Sequence, residues 1–366
     1  MAEIRIPVFT ADRQLASIRG KIDSAVERVL VSGWFILGEE VRDFEEKFAE
    51  YCEAGQAVGV GNGTDAIELA LRALGTGPGD EVITVAHTAP FTGLAILATG
   101  ATPVFVDVDT ETMLMDASLV EAALSPATRV ILPVHLYGQA ADVAAIGAVA
   151  RKAGVAVVVD AAQAHGASIA GSRAAALGNV AAFSFYPTKN LGAYGDGGAV
   201  VTDDPEIAER VRQLRIGGMA AEYRSELPGR NSRLDEMQAA VLRVKLPLLE
   251  GWNERRREIA ARYGAELRTV RVPDGDAGHA RHLYAVRSPR RDELAAHLAE
   301  RGIGSRVHYP WALHQQAAFA EQCRVAGSLA QTERCCREVL SLPLFPELTD
   351  DEVAAVIATT NEFSPG

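Results

Sequence analysis

The residues of this chain with the clearest chemical potential lie within positions 181–203. An apolar run that ends at Ser184 predicts a buried strand, and the turn after it carries one lysine, Lys189, with no acidic residue within six positions on either side. A lysine held between apolar strands loses its water, which lowers the pKa of its amine. A neutral amine is what a Schiff base with an aldehyde cofactor requires. The alternative is a hairpin with a solvated lysine at its tip, and this segment alone does not decide between the two.

A second candidate site is the turn GNGTD at 61–65, which connects a short predicted strand to a helix. Small residues let backbone N–H groups approach an anion, and the start of a helix favours negative charge. The turn completes neither the dinucleotide fingerprint nor a P-loop. It therefore predicts a phosphate site of another kind, unless Thr64 or Asp65 simply caps the helix.

Two further polar groups follow predicted elements. Asp160 ends an apolar run, with Gln163 and His165 just after it. A buried carboxylate is costly unless it is paired, so Asp160 requires a cationic partner such as a protonated ring nitrogen, or else it caps the next helix. A polar loop enters a long helix at 231–236, where Ser232 and Asp235 fit a capping pattern.

Composition excludes several classes of protein. The chain of 366 residues has a net charge of -12, which argues against a general nucleic-acid or anionic-membrane binder but not against a small anion held by local arginines. The four cysteines form no C-x-x-C pair and the histidines form no metal set, so no metal site is predicted. The N-terminus lacks a signal-peptide pattern, and reduced thiols in the cytoplasm are expected.

The periodicity predicts an α/β protein with two domains. Helices are predicted at 12–31 and over the following segment, and then short apolar strands alternate with helices up to about position 203. Strands this apolar fit a mostly parallel sheet covered by helices, and the uncharged run 82–106 reads as strand–helix–strand, not as a membrane span.

The C-terminal third predicts a smaller α+β unit. A long helix is predicted from about 233 to 263 with a kink at Pro247, and later helices near 327–340 and 350–360. We assign residues 1–245 to a large domain, with the N-terminal helices packed alongside, and residues 246–366 to a small domain.

Seven motifs carry a family resemblance through most of the chain. They are GNGTDAIELAL (61–71), DEVITVAHT (80–88), ILPVHLYGQ (131–139), VVVDAAQAHGA (157–167), FSFYPTKNLGAYGDGGAVVTDD (183–204), NSRLDEMQAAVLRVKL (231–246) and VHYPWALHQQAAF (307–319). The chain resembles the DegT/DnrJ/StrS sugar aminotransferases. The resemblance implies the aspartate-aminotransferase fold (fold type I) with a large seven-stranded-type sheet, pyridoxal phosphate as cofactor, and homodimers with shared active sites.

The resemblance gives the central residues their roles. Lys189 would form the Schiff base with pyridoxal phosphate and then move protons as general base and acid. Asp160 would keep the pyridinium nitrogen protonated, and Gln163 would hydrogen-bond the phenolic oxygen of the ring. Family members that have histidine in place of the lysine are deoxysugar dehydratases, so Lys189 favours transamination.

The resemblance also places the cofactor phosphate. Gly63, Thr64 and Ser184 would bind it, and Asn231 would reach it from the partner subunit. One departure concerns the cofactor ring, because many family members have a stacking aromatic residue where this chain has Ala89. His87 or Phe91 would stack in its place.

The expected amino donor is L-glutamate, and the expected acceptor is a nucleotide-linked ketosugar. The VHYPWALH motif resembles members that act at sugar carbon 3, which favours a dTDP-3-keto-6-deoxyhexose. The alternatives are a UDP-linked 3-keto N-acetylated sugar, a 4-ketosugar or, outside catalysis, a pyridoxal-phosphate-binding regulator. The candidate substrate-binding residues are Tyr186, Arg224, Arg230, Arg306, His308, Tyr309 and His314. For each arginine the sequence alone favours a solvated surface residue over a ligand of the diphosphate.

Overall fold

The computed structural model describes residues 3–174, 178–273, 275 and 277–363. Its strands are β1 (Gln56–Val60), β2 (Glu81–Val85), β3 (Thr102–Val106), β4 (Thr128–Ile131), β5 (Ala156–Asp160), β6 (Ser168–Ile169), β7 (Ser172–Arg173), β8 (Val180–Ser184), β9 (Gly198–Thr202), β10 (Met219–Ala221), β11 (Arg224–Ser225), β12 (Tyr284–Arg287), β13 (Arg324–Val325) and β14 (Val339–Leu342). The helices are α1 (Asp12–Ser32), α2 (Glu39–Tyr51), α3 (Gly63–Ala73), α4 (Pro90–Thr99), α5 (Val120–Ala123), α6 (Val143–Ala153), α7 (Pro205–Leu214), α8 (Glu236–Lys245), α9 (Leu249–Glu266), α10 (Arg291–Glu300), α11 (Ala330–Glu338) and α12 (Asp350–Glu362).

One large sheet organises the molecule. Its strand order is β1-β9-β8-β5-β4-β2-β3-β13, and β9 is antiparallel to both of its neighbours while the remaining pairs are parallel. The seven longer strands come from 56–202, and the two-residue β13 is added from the C-terminal part of the chain. This mostly parallel sheet flanked by helices confirms the predicted fold class.

The strands of this sheet are short and almost wholly apolar. Each residue of β8 and β9 is buried, as expected for strands with helices on both faces. Because sheet ligands bind beyond the carboxyl ends of parallel strands, the ends of β5 and β8 are where polar groups are expected to meet.

The N-terminal helices pack against the large domain. Ile18 and Ile22 of α1 contact Val241 of α8. Phe48 of α2 packs edge-on against Phe183 and Phe185, with ring centroids 5.0 and 5.2 Å apart. These aromatic contacts pack α2 against β8 and against Phe185, the first residue after the strand. They therefore fix the position at which the turn that carries Lys189 begins.

The long helix predicted at 233–263 is two helices. Asp235 caps α8 by accepting a hydrogen bond from the Gln238 N–H at 2.8 Å. A single turn of 3₁₀ helix, Leu246–Leu248, separates α8 from α9. Pro247 lies in this turn, and its missing N–H explains why the helix is interrupted.

A second hydrophobic core lies in the C-terminal part of the chain. It contains side chains from α9, α10, α12 and the antiparallel pair β12–β14, and it also contains Ile6 near the N-terminus. The backbone of Ile6 pairs with that of Ile303. The first residues of the chain pack on this smaller core, whereas Ala285 and Cys335 from the C-terminal part belong to the larger core. The division into two domains at 245/246 stays a prediction.

The prediction of a helix near 327–340 is wrong at its C-terminal end. The helix α11 ends at Glu338, and Val339–Leu342 form β14 instead. All four residues of β14 are buried, Leu340 and Leu342 in the smaller core and Val339 in the larger one. Among the described residues, no helix is long and apolar enough to cross a membrane.

Candidate active site

A cavity of about 1540 Å³ opens at the carboxyl ends of the parallel strands. Residues that follow β5 and β8 line it together with the start of α3. The predicted site residues in its lining are Gly63, Thr64, Asp160, Gln163, Ser184, Tyr186, Lys189, Arg230, Arg306, His308 and Tyr309. A volume above the usual 300–1,000 Å³ of ligand pockets leaves room for more than one ligand.

Lys189 lies in a tight turn after β8. Its backbone N–H donates to the Tyr186 carbonyl at 2.8 Å. The next residue anchors the turn, because the Asn190 amide nitrogen donates to Asn253 Oδ1 and to the Ala280 carbonyl, both at 2.8 Å. Loss of water lowers the pKa of Lys189 to about 8, although the negative charge of Asp160 acts in the opposite direction.

Asp160 is a buried carboxylate at the end of β5. Its Oδ2 accepts from the Thr92 hydroxyl at 2.7 Å and its Oδ1 from the Ala162 N–H at 3.1 Å. Burial raises the pKa of Asp160 above its usual value, while these hydrogen bonds and the charge of Lys189 favour the ionised form. A carboxylate in this setting would gain from a cationic partner inside the cavity.

Gln163 connects two segments of the chain that lie far apart in sequence. Its Oε1 accepts from the Tyr137 N–H at 2.7 Å, and its Nε2 donates to the Tyr309 hydroxyl at 3.0 Å. The oxygen and nitrogen of the amide are therefore distinguished by their partners. Burial raises the pKa of Tyr309 to about 12, so this phenol stays protonated at neutral pH.

The first turn of α3 forms one end of the cavity. Asn62 caps the helix by accepting from the Asp65 N–H at 2.9 Å, in place of Thr64 or Asp65. A Cβ on Gly63 would lie 2.6 Å from the Ser184 Cβ, so only glycine fits here without displacement. The glycine brings the helix start, with its free N–H groups, against the hydroxyl of Ser184, which is a suitable cradle for a phosphate.

Arg230 reaches the same end of the cavity but is held by acidic groups. Its Nη1 lies 3.2 Å from Asp65 Oδ1 and also donates to Glu68. Glu68 is in addition paired with Arg72 at 2.8 Å. The guanidinium of Arg230 therefore balances two buried carboxylates beside the start of α3.

His308 and Arg306 come from the loop that follows α10. The His308 Nδ1 lies 2.9 Å from the Ser341 hydroxyl. Loss of water and the charges of Lys189 and Arg306 lower the pKa of His308 to about 4, so its ring is neutral at pH 7. Arg306 is exposed and lines the cavity, as a ligand for a negatively charged substrate would.

Four predicted site residues lie outside the lining of this cavity. His87 is fully buried, with its ring between Cys336 and Tyr137. Arg224 is exposed and pairs with Glu226, and His314 pairs with Glu333. Asn231 is exposed at the surface of its own chain.

The structure distinguishes between the two residues, His87 and Phe91, that were expected to stack on the cofactor ring. Ala89 lines the cavity and begins α4 as its N-terminal cap residue, and Phe91 lines the cavity and is 58% exposed. His87 is fully buried and does not line the cavity. Of the two expected stacking residues, the structure brings only Phe91 into the cavity.

Sequence reasoning missed three residues that shape the site. Thr92 holds Asp160, Tyr137 holds Gln163, and Asn190 holds the lysine turn. Thr88 and Thr92, one helical turn apart in an uncharged segment, were a usable signal for Thr92. Ser232, expected to cap α8, instead accepts from the Gly61 N–H at 2.9 Å.

Comparison with known proteins places the chain in a family. The model of the DegT/DnrJ/EryC1/StrS aminotransferase family matches residues 16–361. This chain belongs to that family. The dTDP-3-amino-3,4,6-trideoxy-alpha-D-glucose transaminase of Streptomyces venezuelae is 49% identical over 98% of this chain and 96% of that protein. The predictions of the family and of an aminotransferase are confirmed.

Solved structures of family members share the fold. The crystal structure of S. venezuelae DesV in complex with a ketimine intermediate has a TM-score of 0.95, with 48% identity over 99% of this chain and 98% of that one. The PLP-form of the putative sugar aminotransferase Spr1654 from Streptococcus pneumoniae has a TM-score of 0.89, with 26% identity over 99% of this chain and 98% of that one. Among the described residues, no group of three or more His, Cys, Asp or Glu is arranged to hold a metal ion.

Proposed function

We propose that this protein is a pyridoxal-phosphate-dependent aminotransferase that moves an amino group from L-glutamate to a nucleotide-linked ketosugar, a dTDP-3-keto-6-deoxyhexose. The observation that carries the proposal is that Lys189, Asp160 and the start of α3 line one cavity. An amine, a carboxylate and an anion site are the three groups that pyridoxal phosphate requires of a protein.

The residues present fit this cofactor. Gly63 and Ser184 form a cradle that a Cβ would fill, and Asp160 is a buried carboxylate with no cation within ion-pair distance among the described residues. Bound pyridoxal phosphate would supply an electron sink for the charge that develops at the reacting carbon. Gly63, Thr64 and Ser184 would hold its phosphate, with Asn231 of a second subunit, and Asp160 would hold its ring nitrogen.

Lys189 has the properties that proton transfer requires. With a pKa of about 8, roughly one amine in ten is neutral at pH 7, against fewer than about one in a thousand for an ordinary lysine. A general base works best when its pKa lies near the working pH. Lys189 would therefore attach the cofactor and afterwards move the proton between the substrate carbon that carries the amino group and the bridging carbon of the cofactor.

Gln163 would contact the cofactor from the side of the small domain. One N–H of its Nε2 is used by Tyr309, and the other has no partner among the described residues. That second N–H suits the phenolic oxygen of the ring. Since Tyr309 accepts from Gln163, its own hydroxyl hydrogen remains for the substrate.

The acceptor is proposed from the cavity and from the relatives together. The cavity is larger than the cofactor alone needs, and Arg306 offers a cation for a diphosphate despite the acidic net charge. Tyr186, His308 and Tyr309 add polar groups at the same opening. Arg230 is committed to Asp65 and Glu68, and Arg224 lies elsewhere, so we assign neither to the diphosphate.

Product analysis tests the substrate. The purified holoenzyme is incubated with L-glutamate and, in separate reactions, with dTDP-3-keto-, dTDP-4-keto- and UDP-linked 3-keto N-acetylated sugars. We expect 2-oxoglutarate and an aminated dTDP-sugar by mass spectrometry in the dTDP-3-keto reaction at the highest kcat/KM. Preference for a UDP-sugar would overturn the nucleotide, and cofactor binding without turnover of any sugar would favour a regulator.

We also propose a homodimer with shared active sites. Exposed apolar side chains cluster where α1 ends and the next segment begins: Leu30, Val31, Trp34, Phe35 and Ile36. The Phe35 carbonyl accepts from the Glu236 N–H at 3.0 Å, so this patch lies next to the segment that carries Asn231. A second copy that covers the patch would bring Asn231 towards its own cavity.

Subunit mixing tests this assembly. Lys189→Ala and Asn231→Ala are each expected to lower activity as homodimers. Mixed and re-equilibrated, the two variants form hybrid dimers in which one site has both native residues, so activity should return. No recovery, although light scattering shows a dimer, would contradict the sharing of sites.

The four cysteines are free thiols, as expected in the reducing cytoplasm, where we propose that the enzyme works.

A further inference from the structure

Three buried side chains behind the cavity have no part in the chemistry proposed above. The His87 ring lies between Cys336 of α11, whose Sγ is 3.4 Å from Nδ1, and Tyr137, whose hydroxyl is 2.9 Å from Nε2. The Tyr137 hydroxyl also contacts the His308 carbonyl. A continuous chain of hydrogen bonds therefore runs from α11 to the loop that carries His308 and Tyr309.

The direction of each hydrogen bond follows from its ends. A carbonyl oxygen only accepts, so the Tyr137 O–H donates to His308. The Tyr137 oxygen must then accept from the His87 Nε2–H. This tautomer leaves a lone pair on Nδ1, which accepts from the Cys336 S–H.

The protonation states agree with this direction. Loss of water, together with the charge of Arg287, lowers the pKa of His87 to about 4, so the ring is neutral and has one N–H. Burial raises the pKa of Cys336 to about 12, so the thiol keeps its hydrogen. Each group thus has one hydrogen to donate and one position to accept.

The backbone of Tyr137 is also fixed by hydrogen bonds. Its N–H donates to Gln163 Oε1 at 2.7 Å, and its carbonyl accepts from the His282 N–H at 2.9 Å. Its backbone is in the left-handed region (φ 60°), which is unfavourable for a residue with a side chain. Such a conformation persists only where surrounding contacts impose it, and it often marks a functional position.

We propose that His87 and Tyr137 are positioning residues, and that with Cys336 they form a buried relay which holds Gln163 and the His308–Tyr309 segment in place at the cavity. This inference rests on the proposed function, because it assigns the relay to the residues that would contact cofactor and substrate. It also gives His87, predicted to contact the cofactor, a role through Tyr137. The relay joins α11 in the C-terminal part of the chain to the strand ends of the large sheet.

Tyr137→Phe removes only the hydroxyl and leaves the backbone contact to Gln163. We expect kcat to fall about tenfold, the effect of losing one buried hydrogen bond, with the affinity for pyridoxal phosphate nearly unchanged. Tyr284→Phe is the matched control, because the Tyr284 hydroxyl is buried and has no hydrogen-bond partner among the described residues. It should leave kcat unchanged.

Cys336 provides a rescue test. Cys336→Ala removes the donor to His87 and should lower kcat several-fold, whereas Cys336→Ser restores an O–H donor and should recover most of it. An equal loss in both variants, at equal thermal stability, would overturn the relay.

Hydrogen exchange separates this inference from the proposed function. In the substrate-free holoprotein, Tyr137→Phe should speed amide exchange in the peptide 304–313 while exchange in β8 stays the same. Hydrogen exchange can be measured in this way even if the protein turns over no ketosugar. Unchanged exchange in 304–313 together with wild-type kcat would contradict the relay.

Discussion

Two walls of the cavity are built in different ways. The lysine wall consists of Asp160, Ser184 and Lys189, which end or directly follow the adjacent strands β5 and β8. The small-domain wall consists of residues 304–309, which belong to no strand of the large sheet. It is held by contacts made at a distance in sequence, such as the pairing of Arg306 with Ser341 and the hydrogen bond from Tyr137 to His308.

This difference suggests a division of labour. Parallel strands fix the lysine wall through backbone hydrogen bonds in a buried sheet, which suits residues that bind a permanent cofactor. The small-domain wall is held by one backbone pairing, Arg306 with Ser341, and by side-chain hydrogen bonds from Tyr137 and Gln163. Such a wall suits the recognition of a substrate that must enter and leave.

The largest effect is expected at Lys189. Lys189→Ala should abolish the visible absorbance of bound cofactor and lower transamination by at least ~10²–10⁴-fold, since a general base is lost together with the covalent anchor. Lys245→Met is the comparison, because burial lowers the pKa of Lys245 also to about 8 but its amine donates to the Gly192 carbonyl outside the cavity. Lys245→Met should keep the absorbance of bound cofactor. If Lys245→Met loses this absorbance and Lys189→Ala keeps it, the anchor is Lys245 and the assignment of Lys189 is wrong.

Asp160→Asn should have the next largest effect. It keeps the shape of the side chain but removes the charge opposite the ring nitrogen, and kcat should fall about 10²–10³-fold by steady-state assay. Asp142→Asn is a matched control, since Asp142 caps α6 and asparagine caps equally well. If kcat for Asp160→Asn stays within threefold of wild type, a difference of roughly 0.7 kcal/mol, the proposed role of Asp160 opposite the ring nitrogen would be contradicted.

Arg306→Gln tests the small-domain wall. Loss of a charge-assisted contact to a diphosphate should raise KM for the nucleotide-sugar about 10–100-fold, with the cofactor affinity unchanged. Arg257→Gln removes an arginine that pairs with Glu254 on α9 and should change neither quantity. A fall in cofactor affinity in Arg306→Gln, with an unchanged KM, would show that the two walls are not divided as proposed.

The smallest expected effect is on stability. The pKa of Lys189 is about 8 in the folded apoprotein and near 10.5 when unfolded. Below about pH 8 the lysine is protonated in both states, so the cost of burying its charge is fully present. Between these pH values the unfolded chain binds more protons, and stability should rise with pH relative to Lys189→Met. Thermal melts of both apoproteins from pH 7 to 10 measure the difference, and a flat difference would contradict the lowered pKa.

The sequence was most informative where chemistry and local structure coincide. The turn after β8, the aspartate that ends β5 and the glycine turn before α3 lie within short segments, so composition and periodicity placed them. The strand β14 was missed because Val339–Leu342 follows α11 without a break, and its apolar side chains fit a helix as well as a strand.

Contacts between distant segments were beyond sequence reasoning. His87 was expected at the cofactor because it lies two residues before Ala89, but its burial between Cys336 and Tyr137 depends on how α11 packs. Arg230 looked like a ligand for a diphosphate, and only the fold brings it onto Asp65 and Glu68. Tyr137 gave no signal because its role depends on a left-handed backbone and on hydroxyl contacts with His87 and His308, which are distant in sequence.

The central claim is that Lys189 is the covalent anchor of pyridoxal phosphate. Wild-type holoprotein is reduced with borohydride, digested, and mapped by mass spectrometry for the pyridoxyl modification. We expect the modification on Lys189, in the peptide that contains FSFYPTKN, and on no other lysine. A modification on Lys245 or another lysine, with Lys189 unmodified, would contradict it.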